Sequence, residues 1–211
     1  MPKTKIYLIR HGETIWNATG RFQGQQDSPL NETGIRQAQA LAKRLRNKSF
    51  FAIYSSDLGR AHQTAEILAE PHSQPVIPDE RLRERRFGIF EGLTMTEAER
   101  DYPDIQQAFL GGGYNFIVPG GETNDEIIDR TVSCLNELAT RHPGERLLVV
   151  THGGIINRFT KYVLGIPQSQ QRMFRVHNAS VNKFVFENGN WEMHTFGDTS
   201  HFDTHHDGAE E

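Results

Sequence analysis

With 211 residues, a formal net charge of −4 and a pI near 6.2, the chain is long enough to bury one sizeable core, and its charge argues against a broad nucleic-acid footprint or a polybasic membrane face. The single cysteine, Cys134, excludes an intramolecular disulfide and a cysteine metal cluster; it suits a reducing compartment and reads as a small helix residue. The first apolar run starts without signal-peptide or transit composition and no later run reaches transmembrane length, so the expectation is a soluble, cytoplasmic protein. Residues 1–200 read as one domain and 201–211 as a frayed acidic tail containing His205 and His206, with no metal expected there or elsewhere.

In chain order, Ile6-Tyr7-Leu8-Ile9 is an apolar run that stops at Arg10-His11-Gly12, the pattern of a buried strand delivering polar groups at its carboxyl end. Glu13 to Leu30 is polar and turn-rich, with Asn17, Gln23 and Gly24, and reads as a loop crossing the strand edge. Asn31 caps a helix with the stripe Ile35, Ala38, Leu41, Ala42 and Leu45; Phe51–Ser55 is a short strand, and Asp57 is expected to cap a helix carrying Leu58, Ala61, Ala65 and Leu68. Arg60 falls in that helix's first turn, where the dipole disfavours a cation unless an anion binds nearby.

Val76-Ile77 reads as a strand and Arg81 to Gly92 as a structured loop. Thr94 with Glu97 and Thr123 with Glu126 have capping-box spacing, the second opening a long helix with Ile128, Val132, Leu135 and Leu138 inward. The glycines at 111–113 and 120–121 lack the lysine and hydroxyl of a Walker loop and suggest a lid or surface loop. Leu147-Leu148-Val149-Val150 then runs into Thr151-His152-Gly153, a second apolar run ending in His-Gly. A helix with Ile155, Ile156, Phe159 and Val163 ends at Gly165, and Asn188-Gly189 marks a hairpin of two edge strands. This alternation predicts an α/β fold, a mainly parallel sheet with an antiparallel edge, and both histidines at the one edge where such sheets bind ligands.

Two histidines with arginines and a carboxyl suit attack on a phosphate ester. A neutral imidazole supplies the nucleophile, guanidinium forks offset charge on the nonbridging oxygens, and a carboxyl protonates the leaving oxygen. His11 is the expected nucleophile, Arg10 and Arg60 the forks, His152 a donor to the transferring group. Glu84 acts as an acid only if its surroundings or the substrate favour its protonated form.

These residues resemble the histidine phosphatase superfamily, also called phosphoglycerate mutase-like. The matching stretches are Leu8-Ile9-Arg10-His11-Gly12-Glu13-Thr14, Ser55-Ser56-Asp57-Leu58-x-Arg60-Ala61, Glu84-x-x-Phe87-Gly88-x-x-Glu91-Gly92 and Val150-Thr151-His152-Gly153-Gly154. The resemblance implies a three-layer αβα sandwich and metal-free chemistry without a cofactor. It implies a phosphohistidine on His11, a phosphate pocket of Arg10, Arg60 and His152, and Glu84 as proton donor. Asn17, Gln23, Gly24 and Gly153 would help hold the phosphoryl group.

The region between the acid loop and Thr123 is short, and from Thr94 to Gly120 its single basic residue is Arg100, which favours a phosphatase over a cofactor-dependent mutase. Arg85 and Arg86 leave a second anionic site open. The expected partner is a small phosphorylated metabolite. A mutase and a noncatalytic phospholigand-binding module are the alternatives, and a homodimer is left open.

Overall fold

The computed structural model describes residues 2–170 and 174–202. In chain order these form β1 (Thr4–Arg10), α1 (Ile15–Ala18), α2 (Glu32–Leu45), β2 (Ala52–Ser55), α3 (Gly59–Ala69), β3 (Val76–Pro78), α4 (Met95–Asp101), α5 (Pro103–Gly111), α6 (Asn124–Arg141), β4 (Arg146–Thr151), α7 (Gly153–Val163), β5 (Val181–Glu187) and β6 (Asn190–Asp198). They build a six-stranded sheet in the order β3-β2-β4-β1-β5-β6. Its first four members are parallel, and β5 and β6 form the antiparallel edge.

The apolar runs of β1 and β4 are continuous because both faces of the sheet are covered. Ile6, Leu8, Leu147 and Val149 pack with Leu135 and Leu138 of α6 and Ile156 and Phe159 of α7. The alternate residues Tyr7, Ile9, Leu148 and Val150 pack with Leu41 of α2 and Ala61, Ala65 and Leu68 of α3. This is the expected αβα sandwich. At the hairpin, Asn188 and Gly189 both take positive φ, 52° and 83°, as a tight turn matched to strand twist requires. No described helix is long and apolar enough to cross a membrane.

Several local expectations need correction. The loop over 13–30 contains the one-turn helix α1, closed by a capping box between Thr14 and Asn17. Asp57 does not cap α3; the N-cap is Leu58 without a side-chain bond, and Asp57 instead pairs with Arg83. On α2 the inward first-turn residue is Gly34 and Ile35 is half-buried. The chain after β1 passes so close that a Cβ on Gly34 would lie 2.0 Å from the Glu13 carbonyl oxygen. On α6 the buried stripe starts at Ile127 and runs through Thr131, Cys134, Leu135 and Leu138, while Ile128 and Val132 are half-buried. The tail is packed through Phe202, which lies against the α2–α3 face of the core; His205 and His206 fall outside the described residues.

Candidate active site

β1 and β4 are neighbours in register, with Arg10 opposite Thr151, so their His-Gly ends abut and the His11 N–H donates to the Thr151 carbonyl at 2.9 Å. The two imidazole centroids are 5.2 Å apart. His11 Nδ1 lies 2.7 Å from the Gly12 carbonyl oxygen. A carbonyl only accepts, so Nδ1 carries the proton and Nε2 keeps its lone pair. His152 is fully buried and its Nε2 meets the Ser56 hydroxyl at 2.9 Å, while Nδ1 has no partner among the described residues. Burial first, and then the Arg60 guanidinium, holds both histidines well below the usual imidazole range. Both are neutral at physiological pH.

Arg60 enters from the first turn of α3 and is 1% exposed. Its guanidinium donates to the carbonyls of Gln26 at 2.9 Å and Gly24 at 2.8 Å and pairs with Asp27 at 3.0 Å, leaving Nε without a partner among the described residues. The cation at this helix start is therefore offset by Asp27, and its backbone partners aim it at the strand edge. Arg10 is anchored through Nη1 to the Val176 carbonyl at 2.6 Å. A Cβ on Gly153 would come within 3.3 Å of Arg10 Nε, so glycine there leaves the guanidinium its place.

Glu84 sits over the start of α7. One carboxylate oxygen accepts from the Gly154 N–H and the other from the Arg85 N–H, each at 2.9 Å. The stretch after α1 supplies the remaining wall. Asn17 Oδ1 accepts from the Thr14 N–H and from Asn178 Nδ2, and Gln23 Oε1 accepts from the Thr14 hydroxyl. Gly24 takes φ +56° with the Glu91 carboxylate against it, where any Cβ would collide at 2.0 Å.

Arg10, His11, Asn17, Gln23, Gly24, Arg60, Glu84 and Gly153 all line one cavity of about 560 Å³, with His152 sealed directly beneath. The structure thus brings every site residue expected from sequence to one place. Arg86, raised with Arg85 as a second anion contact, is exposed and outside the cavity. The glycine-rich segment reaches the rim through Gly113 and Tyr114, next to Phe109 and Leu110 of α5. The segment is tied to the first turn of α6 by the Tyr114 hydroxyl donating to Asp125 at 2.6 Å.

Sequence reasoning missed the supporting residues. Ser56 fixes His152, Asp27 pairs with Arg60, and Asn178 Nδ2 donates to the His11 carbonyl at 3.0 Å. Glu91 accepts from three backbone N–H groups, those of Gln25, Gln26 and Phe87. Ser56 and Glu91 lay inside quoted motifs without a role; Asp27 and Asn178 carry no local signal.

A family model described as the histidine phosphatase superfamily (branch 1) matches residues 6–199. The chain is 41% identical over 201 residues to a metal-independent phosphoserine phosphatase of Arabidopsis thaliana, covering 94% of this chain and 83% of the plant protein. It is 35% identical over 204 residues to a "Probable phosphoglycerate mutase GpmB" of Yersinia pestis, covering 94% of this chain and 95% of that protein. Among solved structures it is similar to Bacillus stearothermophilus YhfR, with a TM-score of 0.88 and 35% identity over 94% of this chain and 98% of that one.

Proposed function

Since the chain belongs to the histidine phosphatase superfamily, we propose that it is a metal-independent phosphomonoesterase that hydrolyses small phosphate esters in two steps through a phosphohistidine on His11. The observation that carries this reading is the state of His11: its Nδ1 proton is spent on the Gly12 carbonyl, so the neutral ring presents Nε2 to the cavity. In the first step the Nε2 lone pair attacks phosphorus, the P–N bond forms, and the ester P–O bond breaks. Glu84, a carboxylate at rest, first takes the proton that a monoanionic phosphate ester brings with it and then gives that proton to the leaving oxygen. In the second step Glu84, now a carboxylate, takes a proton from water as that water attacks phosphorus. The P–N bond breaks and inorganic phosphate leaves.

Charge on the nonbridging oxygens is met by Arg10 and Arg60 and by His152, whose Nδ1–H is free when Ser56 donates to Nε2. Guanidinium forks matching phosphate geometry do here what a divalent cation does in metal-dependent phosphatases. Asn17, Gln23, Gly24 and Gly153 complete the cradle. The proposal sets this reaction in the cytoplasm on a small phosphorylated metabolite, with neither nucleic acid nor membrane as partner. The mildly acidic net charge supports that part of it.

The test is hydrolysis of p-nitrophenyl phosphate in EDTA. The wild-type protein turns over and His11→Ala does not; full residual activity in that variant overturns the phosphohistidine. The similarity to the Yersinia protein favours one other reading, a mutase that returns the phosphoryl group to the carbon skeleton. Interconversion of phosphoglycerates in the presence of bisphosphoglycerate, measured against phosphate release, separates the two.

A further inference from the structure

The loop that carries Glu84 is backed by an ion pair outside the cavity. Arg130, in the second turn of α6, meets the carboxylate of the buried Glu122 through Nε at 2.7 Å and through Nη2 at 2.9 Å. A pair largely out of water stabilises a fold little more than apolar side chains of the same volume, so its worth lies in what the guanidinium holds.

The rest of that guanidinium is spent on one stretch of backbone. Nη1 donates to the carbonyls of Arg81 at 2.8 Å and Arg83 at 2.7 Å, and Nη2 donates to the carbonyl of Glu84 at 3.1 Å. Each of the five N–H donors of an arginine is thereby occupied. The Leu82 carbonyl, between these acceptors, takes the hydroxyl of Thr151 at 2.7 Å, so every carbonyl from 81 to 84 is held by a side chain of α6 or β4. Beyond the acid, the Glu122 N–H donates to the Arg86 carbonyl at 3.0 Å, and the Glu122 carboxylate accepts from the Arg86 N–H at 3.2 Å.

Residues 83–86 belong to no helix or strand, so no regular ladder fixes them. A carboxyl on such a segment meets a leaving oxygen only if its backbone is held from outside, since a misplacement of about 1 Å costs on the order of 10²-fold in rate. Here α6 holds the backbone of Glu84 and the Gly154 N–H of α7 holds its carboxylate. Both helices pack on the same face of the sheet, and α7 follows directly on His152. The acid is thereby fixed to the scaffold that carries the phosphate pocket.

We propose that Arg130, oriented by Glu122, is a positioning residue for the general acid and sets where the Glu84 carboxyl stands relative to the leaving oxygen. The inference rests on the phosphatase reading, and Arg130 itself lies outside the cavity lining. Lysine cannot replace it, because one ammonium lacks the planar fork that spans three carbonyls and a carboxylate together.

The test compares phenyl phosphate with p-nitrophenyl phosphate, two aromatic esters whose leaving oxygens differ in how much protonation they need. The quantity read is kcat/KM, which covers only the steps up to departure of the leaving group. Arg130→Lys keeps the charge and removes the fork, so a loss reports geometry. It should lower kcat/KM for phenyl phosphate by about 10- to 100-fold and for p-nitrophenyl phosphate far less. Glu122→Gln loosens the guanidinium without removing it; it should show the same discrimination in smaller measure, and it decides the matter if Arg130→Lys fails to fold. Equal losses on the two esters in every folded variant, or no loss on either, would make Arg130 a structural residue only and overturn the proposal while leaving the phosphatase standing. A wild-type protein that hydrolyses neither ester removes the phosphatase reading and the role of Arg130 with it.

Discussion

A methyl group at position 154 would lie 2.2 Å from a Glu84 carboxylate oxygen, closer than any carbon tolerates. The carboxylate would swing away and lose the Gly154 N–H that holds it at 2.9 Å. A positioned acid is worth about 10²- to 10⁴-fold in rate, so Gly154→Ala should lower kcat by at least about tenfold with a smaller change in KM. Its circular dichroism should match the wild type, and the loss should shrink for p-nitrophenyl phosphate, whose leaving group needs little protonation. Equal losses on good and poor leaving groups would detach Gly154 from the acid. At this scale His11 and His152 are legible because an apolar strand breaking into His-Gly occurs twice, and Arg60 because a cation opens a helix. The groups that set their states are not. Ser56 lies 96 positions from His152, Asp27 33 from Arg60 and Asn178 167 from His11, and no local pattern records a bond across such separations.

The wall over residues 22–27 is a segment without regular structure that the rest of the site depends on. Its carbonyls at Gly24 and Gln26 hold Arg60, and its own backbone N–H groups at Gln25 and Gln26 are held by the Glu91 carboxylate, which also takes the Phe87 N–H. Arg60 is thus positioned through Glu91 although the two belong to different motifs. Glu91→Ala leaves three N–H groups searching for acceptors and should cost about 2 kcal/mol in urea unfolding while raising KM for any phosphate ester. Glu91→Gln, which keeps one acceptor oxygen, should recover part of both. An unchanged KM in Glu91→Ala would show that Arg60 does not depend on this loop. The helices were readable where the chain announces them: Asn31 accepts from the Gly34 N–H, and Thr94 and Thr123 close capping boxes. On α6 the expected inward positions Leu135 and Leu138 are buried. The first half of the stripe lies one position earlier, at Ile127 and Thr131 in place of Ile128 and Val132, because Thr131, polar by type, faces the core, as does Cys134. Thr131 does so by donating its hydroxyl to the Ile127 carbonyl and Cys134 by donating its thiol to Asp79 at 3.6 Å. No α5 is expected from the sequence, where this region is marked only by the glycines at 111–113 and Pro103, a residue that suits a helix start, is passed over.

On the scale of the whole molecule, packing two neutral imidazoles under a double-wound sheet edge ties stability to pH. His11 and His152 are held below the ordinary value by burial and by Arg60, and His201, half-buried beside Arg44, is lowered to about 4 by desolvation and by that guanidinium. In the unfolded chain each takes up a proton near pH 6.5. Below that pH the unfolded state binds more protons than the folded one, so stability falls as pH falls. The slope is at most about 1.4 kcal/mol per pH unit for each fully buried ring until its folded pKa is reached. Asp57, Asp79 and Asp198, held down chiefly by hydrogen bonds from Arg83, Arg81 and Arg44, add a further loss of the same sign as pH falls below the ordinary carboxylate range. The urea midpoint should therefore drop steadily from pH 7 to pH 5, before the carboxylates titrate. Over the same interval the neutral His11 needed for attack persists, so kcat/KM should lose no activity through this group near pH 6.5. Vanadate or inorganic phosphate, bound between the imidazoles and the guanidinium groups, should raise the midpoint at pH 5.5, and this gain should vanish in Arg60→Ala. A midpoint that stays level from pH 7 to pH 5 in the absence of anions would mean that the buried rings take up protons in the folded state as readily as in water.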